Sequence, residues 1–131
     1  MGFGRLVCMN KNAVSAEALN GAVCTGRPHS AARVRVRYAE TDQMGVVYHA
    51  NYLVWFEVGR VELLRRHGLD YRRMEAEEGC AIAVVEVTAR YKAPARYDDE
   101  LSIETRLLLV RGSLVRFGYK VVRVKDGVIL C

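Results

Sequence analysis

The 131-residue sequence has little of what marks specialised protein classes. It holds two prolines and no glycine period, which excludes collagen-like and proline-rich chains. Its four cysteines, Cys8, Cys24, Cys80 and Cys131, form no C-x-x-C pair, so the spacing disfavours a zinc knuckle or a dithiol redox motif. Scattered thiols in a chain of this size suit a reducing compartment better than a disulfide framework, and the expected location is the cytoplasm. No apolar run approaches the ~20 residues of a membrane span. Asn10, Lys11, Asn12, Glu17 and Asn20 interrupt the hydrophobic residues near the N-terminus, so that segment does not read as a secretory signal. Charge of one sign is also scarce: 20 Lys+Arg against 15 Asp+Glu leaves a net +5. Without a clustered patch this is no nucleic-acid footprint, although it favours anionic groups such as phosphate mildly.

What is present is an ordinary globular balance, 51% hydrophobic and 27% charged, at the length of one domain. Residues 1–32 show no clean period and are expected to form a poorly ordered extension, so a chain starting near Ala31 should keep its fold and activity. The domain is expected over residues 33–131. There the pattern sharpens. Arg33 to Tyr38 alternates, which places Val34, Val36 and Tyr38 on one face of a strand. Tyr52 to His67 reads as a helix with Asn51 as its N-cap and Gly68 at its C-terminal end. Tyr52, Trp55, Phe56, Gly59 and Leu63 form its stripe. Leu53, Val54, Val58, Val61 and Leu64 cover much of the remaining wall, which predicts a substantially buried helix. Gly59, a costly residue in a helix interior, points to a close approach to a sheet.

A short polar helix is expected over residues 70–78, followed by period-two runs. These are Ala83 to Lys92, Leu101 to Leu109 and Val115 to Val121. Asp126-Gly127 is a two-residue hairpin signal before the returning stretch Val128–Cys131. The short connections imply antiparallel neighbours, and one long helix on a mostly antiparallel sheet is an α+β architecture.

The stretch from Tyr38 to Tyr52 lies between a strand end and a buried helix. A helix start offers unpaired N–H groups and a positive dipole end that can hold an oxyanion. Asp42 and His49 lie within this stretch, and a carboxylate and an imidazole can act as base and donor. On spacing alone, an Asp in such a loop is more often a turn former that bonds its own backbone, and His49 more often structural. Tyr38 is equally a rim aromatic.

Thr41-Asp42-x-x-Gly45-Val46-Val47-Tyr48-His49-x-Asn51-Tyr52, set between strand and helix, resembles the 4-hydroxybenzoyl-CoA thioesterase family. It is most similar to the bacterial acyl-CoA thioesterases associated with the Tol–Pal system. Tyr97 to Thr105 fits as well, and the resemblance covers residues 33–131. It implies a hot-dog fold, a long helix wrapped by a curved antiparallel sheet. It also implies a homodimer or homotetramer with active sites at subunit boundaries, and no metal or bound cofactor. Because family chains continue their last strand, the chain is expected to be truncated at its C-terminus.

By the resemblance, Asp42 is the catalytic carboxylate, acting as nucleophile or as general base, and the His49 N–H binds the thioester oxygen. Tyr38 lines the same site, and Tyr48 is a candidate acyl contact. Arg111 and Ser113 match the connection where some relatives hold nucleotide phosphates. Arg90, Lys92, Arg96 and Arg116 are alternatives for that role. Glu57 and Glu62 are read as helix ion-pair partners of Arg60 and Arg66. The implied function is hydrolysis of a small or medium acyl-CoA. The alternative is a hot-dog module that binds acyl-CoA without cleaving it, since a fold alone does not decide function.

Overall fold

The structure, a computed structural model, describes residues 2–9, 29–79 and 81–131. Strands β1 (Gly2–Met9), β2 (His29–Arg35), β3 (Ala81–Thr88), β4 (Glu100–Arg111) and β5 (Leu114–Arg123) form one sheet in the order β2-β4-β5-β1-β3. Every neighbouring pair is antiparallel. Helix α1 (Asn51–Arg66) lies against β2 and β4, and the shorter α2 (Tyr71–Glu78) follows it. This is the α+β arrangement expected from the element order.

The core is the meeting of one helix stripe with alternate sheet residues. Tyr52, Trp55, Phe56, Gly59, Leu63 and Leu64 are buried on α1. Leu101, Ile103, Thr105 and Leu107 of β4 face them, with Val115, Phe117, Tyr119 and Val121 of β5. The Gly59 expectation holds: a Cβ there would fall on Thr105 Oγ1 and lie 2.9 Å from Ile103 Cγ2. The alternation on β4 fails at Leu109, which is exposed because the register with β5 shifts between Leu107 and Leu109. Gly68 closes α1 in the left-handed region (φ +77°), with Leu69 N–H donating to the Leu64 carbonyl at 2.9 Å. Asp70 caps α2, its carboxylate accepting from the N–H groups of Arg72 and Arg73.

Several expectations are corrected. Residues 2–9, expected within a poorly ordered extension, form β1 in the sheet interior, between β5 and β3. Strand β2 begins at His29 rather than Arg33, and residues 10–28 lie outside the described residues, as does Cys80. The β2 run stops at Arg35. Tyr38 turns out into a 3₁₀ turn and is 78% exposed, so it does not share the buried side of Val36. The N-cap of α1 is Ala50, not Asn51, whose side chain is used elsewhere. The last hairpin is wider than a two-residue turn: Arg123 N–H donates to the Val128 carbonyl across Val124–Gly127, with Gly127 at φ +71°.

The outer wall of α1 is not buried in the single chain, since Leu53, Val54 and Val58 are exposed. The same is true of Val84, Val85 and Val87 on the edge strand β3. Beyond β3, Lys92 N–H donates to the Leu130 carbonyl, and Leu130 N–H donates to the Val121 carbonyl. Val128–Cys131 thus lies on the same side of β5 as β1, and Leu130 and Cys131 are fully buried.

Candidate active site

The site grows out of the exit from β2. After Val36 the chain makes a 3₁₀ turn over Tyr38–Glu40 and enters a loop closed by a bridge between Thr41 and Val47. Within it, Asp42 N–H donates to the Val46 carbonyl at 2.8 Å and Gly45 N–H donates to the Asp42 carbonyl at 2.9 Å. Gly45 sits at φ +72°, a conformation that suits glycine. Asp42 Oδ1 accepts the Met44 N–H at 2.8 Å. The turn-forming use of Asp42 is therefore present, and it holds one carboxylate oxygen in place. The other oxygen has no partner among the described residues, which leaves it available to water or a ligand.

Glu40 anchors this loop and is 4% exposed. Burial pushes its carboxyl group up, but bonds from the Arg37 side chain, the Arg37 N–H and Trp55 outweigh that and hold it below the usual carboxylate range. The Glu40 carbonyl accepts the Tyr48 N–H and the Asn51 side-chain amide, both at 2.9 Å. Residue 51 is thus used to tie the helix start to the loop rather than to cap the helix.

Asp42 and His49 line one open cavity of about 410 Å³, together with Met44, Val47, Tyr91 and Lys92. The first turn of α1 begins here. Asn51 N–H donates to the Tyr48 carbonyl and Tyr52 N–H to the His49 carbonyl. The N–H groups of Asn51, Tyr52 and Leu53, the donors expected to be free at a helix start, are instead used in turn bonds. No acceptor for the N–H groups of His49 or Ala50, directly before the helix, occurs among the described residues; of these two, His49 lines the cavity. Tyr91 braces the turn: its hydroxyl donates to the His49 carbonyl at 3.0 Å, and its ring meets Tyr52 edge-on at 5.0 Å. Burial raises the Tyr91 phenol above its ordinary range. Among the described residues no group of three or more His, Cys, Asp or Glu side chains is placed to hold a metal ion.

The other residues expected at the site are placed differently. Tyr38 does not line the cavity; its ring packs edge-on to Tyr97 at 5.7 Å. Tyr48 is half exposed, with its ring 4.5 Å from His49, also outside the lining. Arg111 and Ser113 flank the β4–β5 turn. The other end of β4, where Glu100 pairs with Arg35, lies about 35 Å away along an extended strand. Within one chain they are not brought to Asp42. Of the alternative cations, Lys92 lines the cavity and Arg96 donates to the Gly45 carbonyl at 3.5 Å. Arg90 is exposed beyond β3, and Arg116 faces Arg5 across β1 and β5.

Glu57 and Glu62 pair with Arg60 (4.0 Å) and Arg66 (2.8 Å), as helical spacing suggested. Tyr91 was legible only as one member of an alternating run. Its role needs the close of β3 at Thr88, which sequence spacing does not mark.

A second cavity, of about 270 Å³, opens on the outer wall of α1. Leu53, Val54, Phe56, Val84, Val87 and Tyr119 contribute to its lining.

Residues 36–131 match the model of the thioesterase-like superfamily. YneP of Bacillus subtilis is 44% identical over 88 residues, which is 67% of this chain and 63% of that protein, so the match leaves over a third of YneP uncovered. The acyl-CoA thioester hydrolase YbgC of Escherichia coli is 41% identical over 93 residues, 71% of this chain and 69% of its own length. Among solved structures, a DHNA-CoA thioesterase from Staphylococcus aureus superposes with a TM-score of 0.74 at 30% identity, covering 78% of this chain and 67% of that one. A family match over most of the chain, joined to this strand–loop–helix geometry, makes the protein a member of the thioesterase-like superfamily with the hot-dog fold.

Proposed function

We propose that the protein hydrolyses acyl-CoA thioesters, using the Asp42 carboxylate and the N–H donors at the start of α1. The observation that carries this reading is the meeting of Asp42 and His49 in one cavity beside N–H groups without acceptors. The thioester oxygen sits on the His49 N–H as it gains negative charge, an arrangement worth on the order of 3 kcal/mol per donor. Asp42 then either attacks the carbonyl carbon, forming an anhydride that water cleaves, or takes a proton from the attacking water. In both cases the C–S bond breaks, CoA leaves as the thiolate and the acyl group leaves as a carboxylate. Lys92, on the cavity rim, suits a CoA phosphate.

The cavity that Asp42 and His49 share suits a small or medium acyl group, since Met44, Val46, Val47 and Pro94 supply an apolar wall. Strand β3 pairs on one side with β1 and, among the described residues, has no partner on its other edge, where valines are exposed. A homodimer joined along β3, or a tetramer built from it, would cover that edge. The assignment to the Tol–Pal-associated branch rests on the Thr41–Tyr52 motif. A cytoplasmic location suits a free thiol at Cys131 and a CoA ester substrate.

The test is thiol release from a panel of acyl-CoAs. Turnover of at least one ester class is expected; tight acyl-CoA binding with no thiol release would make the chain a binding module instead.

A further inference from the structure

We propose that Glu40 is a positioning residue that sets the separation between Asp42 and the His49 N–H. The inference rests on the thioesterase reading above. Five hydrogen bonds converge on this one buried residue. Its Oε2 accepts the Arg37 N–H at 2.7 Å. Its Oε1 accepts Arg37 Nη2 at 3.0 Å and Trp55 Nε1 at 3.2 Å. Its carbonyl accepts the Tyr48 N–H and Asn51 Nδ2, both at 2.9 Å. The donors come from the strand exit, the returning limb of the loop, the helix start and the second turn of α1. Asp42 lies two residues after Glu40, and Tyr48 directly precedes His49. The segment between them is closed by the Thr41–Val47 bridge. Both reacting groups are therefore within two residues of an atom that Glu40 holds.

The chemistry of this hub requires a carboxylate. Every group that meets the side chain is a donor, and a carboxylate has only acceptors to offer. Glutamine has nearly the same size, but its amide nitrogen would face either the Arg37 N–H or the pair formed by Arg37 Nη2 and Trp55 Nε1. The 3₁₀ turn must then shift, and Asp42 shifts with it. Glu40 does not line the cavity, so substrate affinity should be spared.

The experiment measures kcat and KM for acyl-CoA hydrolysis by the full chain and its Glu40→Gln variant. The same substitution is also made in an Asp42→Asn background. A misplacement near 1 Å costs on the order of a hundredfold in rate. The expected result is a kcat lower by at least about tenfold, a KM within about threefold, and no further loss when Asp42 is already replaced. A folded Glu40→Gln variant with a kcat within about twofold of its parent overturns the inference. So does an equal loss in the Asp42→Asn background, because that effect would not act through Asp42. Should Glu40→Gln fail to fold, Arg37→Met reads the same hub, since the Arg37 side chain is 74% exposed. Its kcat should fall several-fold with KM held, and an unchanged kcat overturns the proposal. A parent chain that releases no thiol from any acyl-CoA overturns the thioesterase reading itself. An active parent whose Glu40→Gln variant keeps its rate overturns this inference alone.

Discussion

Replacing Gly59 by alanine tests the contact on which the helix–sheet packing depends. In a solvent-facing helix this change stabilises by about 1 kcal/mol, because glycine loses more backbone freedom on folding. Here the added Cβ would fall on Thr105 Oγ1 and lie 2.9 Å from Ile103 Cγ2. Both neighbours are fully buried on β4, which is hydrogen-bonded to β2 on one side and β5 on the other. They cannot move aside without disturbing two ladders. Overpacking of this kind costs about 1–3 kcal/mol and more when backbone must shift. The clash should exceed the propensity gain, leaving a net loss of about 1–2 kcal/mol and a melting temperature lower by roughly 3–6 °C.

Trp55, the one tryptophan, is 1% exposed and reports unfolding by fluorescence in urea titrations. Thr105→Ala should partly rescue the variant, because Thr105 Oγ1 is buried without a partner among the described residues and its Cβ would sit an acceptable 3.6 Å from the new methyl group. A coupling of about 1 kcal/mol between the two changes is expected. A Gly59→Ala protein as stable as its parent, or more stable, would mean that α1 stands off the sheet.

Other expectations follow from the ion pairs and the sheet. Asp99 is buried, yet bonds from Lys125 and the Arg96 N–H hold its carboxyl below the usual range against the upward push of burial. A depressed folded pKa adds stability that is present above the unfolded value, about 3.9, and is lost as pH falls through the folded one. Asp99→Asn should thus cost about 2 kcal/mol at pH 7, with the gap to wild type closing toward pH 3; a gap independent of pH in urea titrations would contradict this. Removing residues 2–9 uncovers one side of both β5 and β3 and strips away buried Leu6, so insoluble or unfolded protein is expected. A chain starting at His29 with an unchanged melting temperature would count against β1. Tyr91→Phe removes the bond to the His49 carbonyl and should lower kcat several-fold, with a stability change of no more than about 1 kcal/mol. An unaltered kcat would show that Tyr91 does not steady the helix start.

Much of the fold was legible because its signals were local. The β5 stretch reads directly in the alternation of Val115, Phe117, Tyr119 and Val121, and all four are buried. Gly59 betrayed the close approach, and Gly68 marked the end of α1 through its capping chemistry. What escaped depends on distant partners. Gly2–Met9 has no strong period of its own and becomes a strand because β5 and β3 offer two ladders at once. Leu53, Val54 and Val58 were expected under cover, but none of the described residues buries them.

At the site, Asp42 and His49 were legible as a motif. Glu40 was not, because its use depends on Trp55, fifteen residues away in sequence. Tyr38 was misplaced because the strand period was extended past Arg35, where the backbone turns into a 3₁₀ helix.

In the proposed mechanism a single carboxylate, at position 42, drives thioester cleavage beside the start of α1. The decisive measurement is thiol release from acyl-CoA by the parent chain and by Asp42→Asn. The Asn side chain keeps the shape and the Oδ1 acceptor used by the Met44 N–H while removing the carboxylate. A kcat lower by roughly a hundredfold or more is expected in a variant that melts near the parent temperature. Near-normal turnover by Asp42→Asn would contradict it.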